Sequence, residues 1–82
     1  MSLKETNNAS KISDTVVPGR YRHYKGGEYE VLFIAKNSET LEDMVIYRAL
    51  YGEGTVWARP AYMWNETVNV NGETVKRFTK ID

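Results

Sequence analysis

The chain has 82 residues, and its 11 basic and 11 acidic side chains give a formal net charge of zero. This length leaves room for a single core, and a zero net charge gives no general attraction to nucleic acid or anionic lipid. The sequence has no cysteine, which excludes disulfides, thiolate zinc sites and cysteine nucleophiles, and its one histidine cannot form a metal site alone. We therefore expect one domain without a metal or cofactor.

Residues 1–16 are predicted to form a disordered or loosely docked tail. Residues 2–15 are mostly polar, with apolar side chains only at Leu3, Ala9 and Ile12, too few to offset the entropy of ordering them. The N-terminus lacks the apolar stretch of a signal peptide, and no run approaches the ~20 apolar residues of a membrane span. We expect a cytoplasmic protein with no membrane contact, whose folded domain comprises residues 17–82.

From Pro18 onward, glycine, proline and asparagine divide the chain into short segments typical of β-strands. These segments predict strands at 20–24, 29–36, 44–50, 55–59, 68–70 and 74–78. Asn71-Gly72 predicts a type I′ hairpin, because both central residues of that turn need a positive φ. Pro60 is suited to begin a single helical turn over 61–66, since its φ is already fixed. The pattern predicts an all-β fold, a small SH3-like barrel of five to six antiparallel strands with one short helical turn.

The second predicted strand is apolar on both faces over residues 31–35, Val-Leu-Phe-Ile-Ala. A half-exposed antiparallel strand would alternate apolar and polar side chains. Two explanations remain open. The strong bend of a small barrel lets one strand contribute to two apolar clusters, or one face of the strand forms a dimer interface.

Four short motifs follow one another along the predicted domain: YRHYKG at 21–26, SETLE at 38–42, YRALYG at 47–52 and WARP at 57–60. The ordered set resembles a family of small bacterial proteins described as a domain of unknown function, DUF1653, over about the last four fifths of the chain. The resemblance implies an SH3-type β-barrel, in agreement with the strand count. It supplies no activity, because the family has no assigned catalytic residues to carry over.

The first candidate binding cluster lies on the first strand and its turn, and comprises Arg20, Arg22, His23, Tyr24 and Lys25, four basic side chains with aromatic ones between them. A basic face interleaved with aromatics can hold phosphate and stack a base, as single-strand binders do. Strand geometry places Tyr21 and His23 on one side, with Arg22 and Tyr24 on the other. The structural alternative has the arginines in solvent, Tyr21 and His23 packed, and His23 hydrogen-bonded to the backbone.

The third and fourth strands carry the second candidate cluster, Tyr47, Arg48, Tyr51, Trp57 and Arg59. Arg48 shares a strand face with apolar residues, so it needs a carboxylate partner or a pocket, because an unpaired buried charge is costly. The candidate partners are Glu28, Glu30, Glu39 and Glu42. Trp57 and Arg59 share a face, and a guanidinium beside an indole is either structural or recognises a carboxylate or phosphate.

Both clusters favour a small binding module over an enzyme. Catalysis needs a site that excludes water and places several groups at once, and a domain this small with one histidine offers little material for it. We therefore expect no catalytic residues, and a ligand that is a peptide, a nucleic-acid strand or a small anion. The alternative is a structural or accessory protein that acts through homodimer or partner-protein contacts.

Overall fold

A computed structural model describes residues 16–82, which form antiparallel strands and one short helix. The elements are β1 Gly19–His23, β2 Glu28–Lys36, β3 Asp43–Ala49, β4 Val56–Pro60, α1 Ala61–Trp64, β5 Thr67–Val70, β6 Glu73–Lys76 and β7 Phe78–Lys80. The predicted all-β class with a single short helix is confirmed. The predicted tail lies outside the described residues except for Val16, whose side chain is buried in the core.

Five strands form one sheet in the order β4-β3-β2-β1-β7, and β5 pairs with β6 in a separate hairpin. The last strand returns to the first, with Phe78 opposite His23. β4 and β7 are the edges of the larger sheet, so the sheets formed by residues 16–82 are not closed into a barrel. The chain leaves β4 at Pro60, which has no N–H to donate and directly precedes α1.

Local turn signals placed the elements to within one or two residues. Asn71 and Gly72 both have positive φ values, 52° and 86°, as a type I′ turn requires. The helical turn begins after Pro60, as predicted.

The segment 74–78, predicted as one strand, is divided at Arg77. Its first part pairs with β5, whereas Phe78 pairs with β1. Between them, the Arg77 N–H donates to the Glu66 carbonyl, and the Arg77 carbonyl accepts from the Tyr24 N–H. The backbone of Arg77 therefore links the two sheets, and the structure has seven strands where five or six were predicted.

An aromatic core lies between the inner face of the larger sheet and α1. Trp64 is 1% exposed, and its ring stacks on Phe78 with 3.7 Å between the centroids. Tyr21 and Tyr47 meet the Trp64 ring edge-on, an arrangement that stabilises beyond the area it buries. A few large rings thus fill a core that is too small for layers of aliphatic side chains. The buried cluster comprises Val16, Tyr21, Val31, Val45, Tyr47, Ala61, Trp64 and Phe78.

A β-bulge explains why β2 is apolar on both faces. The register with β3 shifts between Val31 and Phe33, and a bulge bends its strand. Val31 is 1% exposed and packs in the core, whereas Phe33 is 55% exposed. Phe33 lies opposite Ile46, which lies opposite Ala58. Because cross-strand neighbours share a face, these residues form an apolar row across the outer face of β2, β3 and β4.

Candidate functional site

Two of the predicted site residues, Arg22 and Arg48, are already in ion pairs. The Arg22 guanidinium lies 3.0 Å from the Glu28 carboxylate, and the Arg48 guanidinium lies 3.1 Å from Glu30. Each pair joins residues that are directly opposite in the strand register. The prediction that Arg48 finds a carboxylate is confirmed, with Glu30 as the partner.

His23 packs on the inner side of β1. Its Nδ1 accepts a hydrogen bond from the Lys25 backbone N–H at 3.1 Å, and its ring meets Phe78 edge-on at 5.0 Å. Burial lowers the pKa of His23, and the positive charges of Arg77, Lys25 and Arg59 lower it further. A neutral imidazole that accepts at Nδ1 carries its proton on Nε2, so His23 is a hydrogen-bond donor at that atom.

A groove of about 420 Å³ lies between the turn after β1 and the β5–β6 hairpin. Its volume is in the range of small-ligand pockets. The charges in its lining are balanced. Arg22 is paired with Glu28, and the other two charged lining residues are Glu73 and Lys76. The residues that line it are Arg22, His23, Tyr24, Gly26, Val70, Glu73, Val75, Lys76, Thr79 and Ile81.

The first predicted cluster contributes only one wall of this groove. Its other walls come from the hairpin and the C-terminal segment, which the pairing of β7 with β1 brings into place. Lys25 is not among the lining residues, and its ammonium lies over the Tyr24 ring, 5.8 Å from the centroid. The groove could not be found from the sequence around β1 alone.

Arg59 differs from the other arginines in the described chain. The other four each form an ion pair with a carboxylate, whereas Arg59 has no such partner among residues 16–82. Its Nε donates to the Tyr47 hydroxyl at 3.5 Å, and its guanidinium lies 5.8 Å from the Phe78 ring centroid. The residue opposite Arg59 is Val45, so the register brings it no carboxylate. Arg59 is therefore a half-buried cation held by aromatic side chains.

Aromatic side chains continue from Arg59 to solvent, and we name Tyr29, Tyr47, Tyr51, Trp57 and Arg59 the Arg59 surface. Trp57 is 53% and Tyr51 is 54% exposed. The Tyr29 ring lies 5.5 Å from both the Tyr47 and the Tyr51 rings. A hydrogen bond between the Tyr29 and Tyr51 hydroxyls is the main cause that raises the pKa of Tyr29 to about 12. The surface thus combines one cation, neutral hydroxyls and two exposed rings.

Tyr29 was not among the predicted site residues, although it connects the others. It lies opposite Tyr21 on β1 and Ala49 on β3. Gly27 allows this packing, because a Cβ at that position would lie 3.2 Å from the Tyr51 ring. The only sequence signal was the alternation of β2, which places Tyr29 on the same face as Val31.

The chemistry that the Arg59 surface offers is hydrogen-bond donation to an anion, with flat rings beside it. Within residues 16–82, no group of three or more histidine, aspartate or glutamate side chains is placed to hold a metal ion. In the same part of the chain, no helix is long and apolar enough to cross a membrane.

A family model described as "Protein of unknown function (DUF1653)" matches residues 19–80. The chain belongs to the DUF1653 family. A crystal structure of a DUF1653 protein from Bordetella bronchiseptica has a TM-score of 0.74 and 38% sequence identity, and the match covers 80% of this chain and 87% of that chain. No curated protein matches the chain. The resemblance inferred from the four motifs is confirmed, and the whole Arg59 surface lies inside the segment that DUF1653 matches.

Proposed function

We propose that this DUF1653 domain is a non-catalytic binding module that recognises an anionic group through Arg59. The observation that supports this proposal is the missing carboxylate partner of Arg59, since the other four arginines of residues 16–82 each have one. A cation that is partly removed from water is costly unless it is paired. A ligand carboxylate or phosphate is the missing partner, and its oxygens accept two hydrogen bonds from the planar guanidinium.

Trp57 and Tyr51 provide the contact area beside the cation. Both rings are more than half exposed, and aromatic side chains give a large contact area at a low cost in conformational entropy. Tyrosine, tryptophan and arginine are also the residues that contribute most to binding at protein interfaces. The three possible ligands, a peptide, a nucleic-acid strand or a small anion, all carry the group that Arg59 needs. The cysteine-free composition is compatible with a reducing compartment, which supports placing this module in the cytoplasm.

The groove beside the β5–β6 hairpin is a less suitable anion site. Its arginine, Arg22, is neutralised by Glu28 at 3.0 Å. A negative ligand there would also meet Glu73, which lies in the lining together with Lys76. The Arg59 surface has no carboxylate among its five residues.

The test is an NMR titration of the ¹⁵N-labelled domain with inorganic phosphate, oligothymidylate and an acidic peptide as separate probes. We expect at least one probe to shift the Arg59 side-chain Nε–H and the Trp57 indole N–H. Arg59→Gln should lose these shifts, and Trp57→Ala should weaken binding. Arg20→Gln is the matched control, because it removes a charge on β1 that is paired with Asp82. If no probe shifts these groups, or if Arg59→Gln binds as well as the wild type, the proposal is wrong.

The outer apolar face favours a second candidate, assembly through homodimer or partner contacts. Phe33 is 55% and Val56 is 51% exposed, and the row through Ile46 and Ala58 joins them across three strands. Contiguous apolar surface on a small protein often marks an interaction site. Sedimentation equilibrium should then show a mass that rises with concentration for the wild type but not for Phe33→Ser. A constant monomer mass in both would exclude a stable homodimer.

A further inference from the structure

We infer that the ligand of the Arg59 surface is an extended acidic peptide that adds as a strand to the free edge of β4. This inference rests on the proposed function, because Arg59 supplies the contact to the anion. β4 is the last strand of the sheet order β4-β3-β2-β1-β7, so no strand within residues 16–82 pairs with its other side. An unpaired edge of this kind is a template for a further strand.

The hydrogen bonds between β3 and β4 show which backbone groups face that edge. The Ala49 N–H donates to the Thr55 carbonyl at 3.0 Å, just before β4 begins. In an antiparallel ladder, hydrogen-bonded and non-hydrogen-bonded pairs alternate. Counting from Thr55, the backbone groups of Trp57 and Arg59 point toward β3.

The N–H and C=O groups of Val56 and Ala58 therefore point away from β3, toward the free edge. Pro60 occupies the next outward-facing position of β4. It has no N–H, and proline within sheets is confined to such edge positions. The position of Pro60 thus agrees with the orientation derived from the hydrogen bond at Thr55. The backbone N–H and C=O groups available to another strand are those of Val56 and Ala58.

The side chains beside this edge specify what kind of peptide fits. Trp57 and Arg59 are two residues apart on one face of the sheet, which separates them by about 6.8 Å along the strand. A strand added next to β4 places its own side chains opposite them. An acidic residue opposite Arg59 supplies the missing carboxylate, and an apolar residue opposite Trp57 packs on the indole. The peptide therefore has an acidic and an apolar residue separated by one other residue.

Two other occupants fit this edge less well. A nucleic-acid strand is usually held by a positively charged groove that follows its phosphates, and here the other arginines of the described chain are neutralised by carboxylates. A second copy of β4 has the sequence Val-Trp-Ala-Arg-Pro, which contains no acidic residue to pair with Arg59. An acidic peptide uses both the free backbone groups and the unpaired cation.

The probe is a capped five-residue peptide, threonine-aspartate-valine-leucine-threonine. In an antiparallel addition its aspartate lies opposite Arg59, its valine opposite Ala58 and its leucine opposite Trp57. Amide hydrogen exchange followed by NMR reads out the geometry directly. We expect the peptide to slow exchange at the Val56 and Ala58 amides, while the amides of Trp57 and Arg59, already bonded to β3, change little.

Three matched changes test the separate contacts. Replacing the peptide aspartate by asparagine, or Arg59 by glutamine in the protein, should each weaken binding by about tenfold or more through the lost charged hydrogen bond. Methylating the backbone nitrogen of the peptide valine should abolish protection of Ala58, because it removes the donor to the Ala58 carbonyl. Arg20→Gln should bind as the wild type does.

The results separate this inference from the proposed function. If phosphate or oligothymidylate shifts Arg59 but the peptide leaves Val56 and Ala58 unprotected, anion binding stands and strand addition is wrong. If the N-methylated peptide binds as well as the parent peptide, edge pairing is also wrong. If none of the probes shifts the Arg59 side-chain signal of the folded wild-type domain, both proposals are wrong.

Discussion

Arginines on the outer and inner faces of the larger sheet differ in whether they pair with a carboxylate. On the outer face, Arg22 lies opposite Glu28 and pairs with it at 3.0 Å. On the inner face at the β4 edge, Arg59 lies opposite Val45, and within residues 16–82 its polar side-chain partner is the Tyr47 hydroxyl. The strand register thus places a carboxylate opposite Arg22 and an apolar side chain opposite Arg59. The difference shows that the position of an arginine in the register decides whether it finds a carboxylate partner within the sheet.

The two tryptophans show the same contrast in packing. Trp64 is 1% exposed and stacks on Phe78, whereas Trp57 is 53% exposed on the edge strand. If the inner core maintains the fold and the β4 edge binds a ligand, substitutions at the two positions must separate stability from binding.

The largest expected effect is the loss of stability in Trp64→Ala. Truncating a fully buried aromatic side chain typically lowers the free energy of unfolding by about 3–5 kcal/mol, a large part of the ~5–15 kcal/mol of a small domain. Trp57→Ala should lower it by less than about 1 kcal/mol, since surface substitutions have small effects. Urea denaturation followed by circular dichroism measures both.

If Trp64→Ala fails to fold, Trp64→Phe provides a milder substitution at the same position for comparison with Trp57→Ala. The buried Nε1 of Trp64 has no hydrogen-bond partner among residues 16–82, so phenylalanine keeps a ring against Phe78 and removes an unsatisfied donor. The loss of stability should therefore be smaller than in Trp64→Ala. Equal losses for Trp57→Ala and Trp64→Ala would mean that the β4 edge belongs to the core.

The local elements of this fold were predictable because turn chemistry and alternation act over a few residues. The alternation of β3 correctly placed Val45 and Tyr47 on one face and Arg48 on the other, but the apolar neighbours of Arg48 suggested a buried position where the structure has it exposed. The division at Arg77 was not predictable, because it depends on hydrogen bonds to Glu66 and Tyr24 from distant segments. Whether the sheets of residues 16–82 close into a barrel likewise depends on which strand edges meet, and no local pattern encodes that.

The candidate site was predictable only in part, for the same reason. The shared face of Trp57 and Arg59 follows from alternation within one strand. The role of Tyr29 depends on the register of β2 with β3, which a bulge after Val31 changes. The separation of Arg22 from Arg59 depends on which face each residue takes in the assembled sheet. Spacing along the chain therefore predicted the shared face of Trp57 and Arg59. It did not predict the role of Tyr29 or the separation of Arg22 from Arg59.

A smaller effect distinguishes the paired from the unpaired arginine. A double-mutant cycle of Glu30→Gln and Arg48→Gln should give a coupling of about 0.2–1 kcal/mol, the range for exposed ion pairs. Arg59→Gln should change the free energy of unfolding by no more than this coupling, because no carboxylate among residues 16–82 is left without its partner. Urea denaturation of the wild type, the two single variants, the double variant and Arg59→Gln gives both quantities. A loss larger than the measured coupling would show that Arg59 supports the fold and would weaken its assignment to a ligand.

The smallest expected effect is a pH dependence that comes from His23. The pKa of His23 is lowered in the folded state, mainly by burial and further by Arg77, Lys25 and Arg59. The folded protein therefore holds the neutral imidazole, which also accepts the Lys25 N–H at Nδ1. Because the unfolded chain gains the proton first, stability is fully present above the usual histidine pKa of about 6.5. It should fall as the pH drops from that value through the lowered, folded-state pKa.

His23→Gln tests this effect directly, because the sequence has no other histidine. The urea midpoint of the wild type should decrease more than that of the variant between about pH 7.5 and about pH 5.5. Arg59→Gln should reduce the decrease, since it removes one of the positive charges that oppose protonation of His23. Equal decreases for the wild type and His23→Gln would show that the imidazole is not held neutral. If only the Arg59 result failed, burial together with Arg77 and Lys25 would hold His23 neutral, and the charge of Arg59 at the β4 edge would have no effect on the stability of the fold.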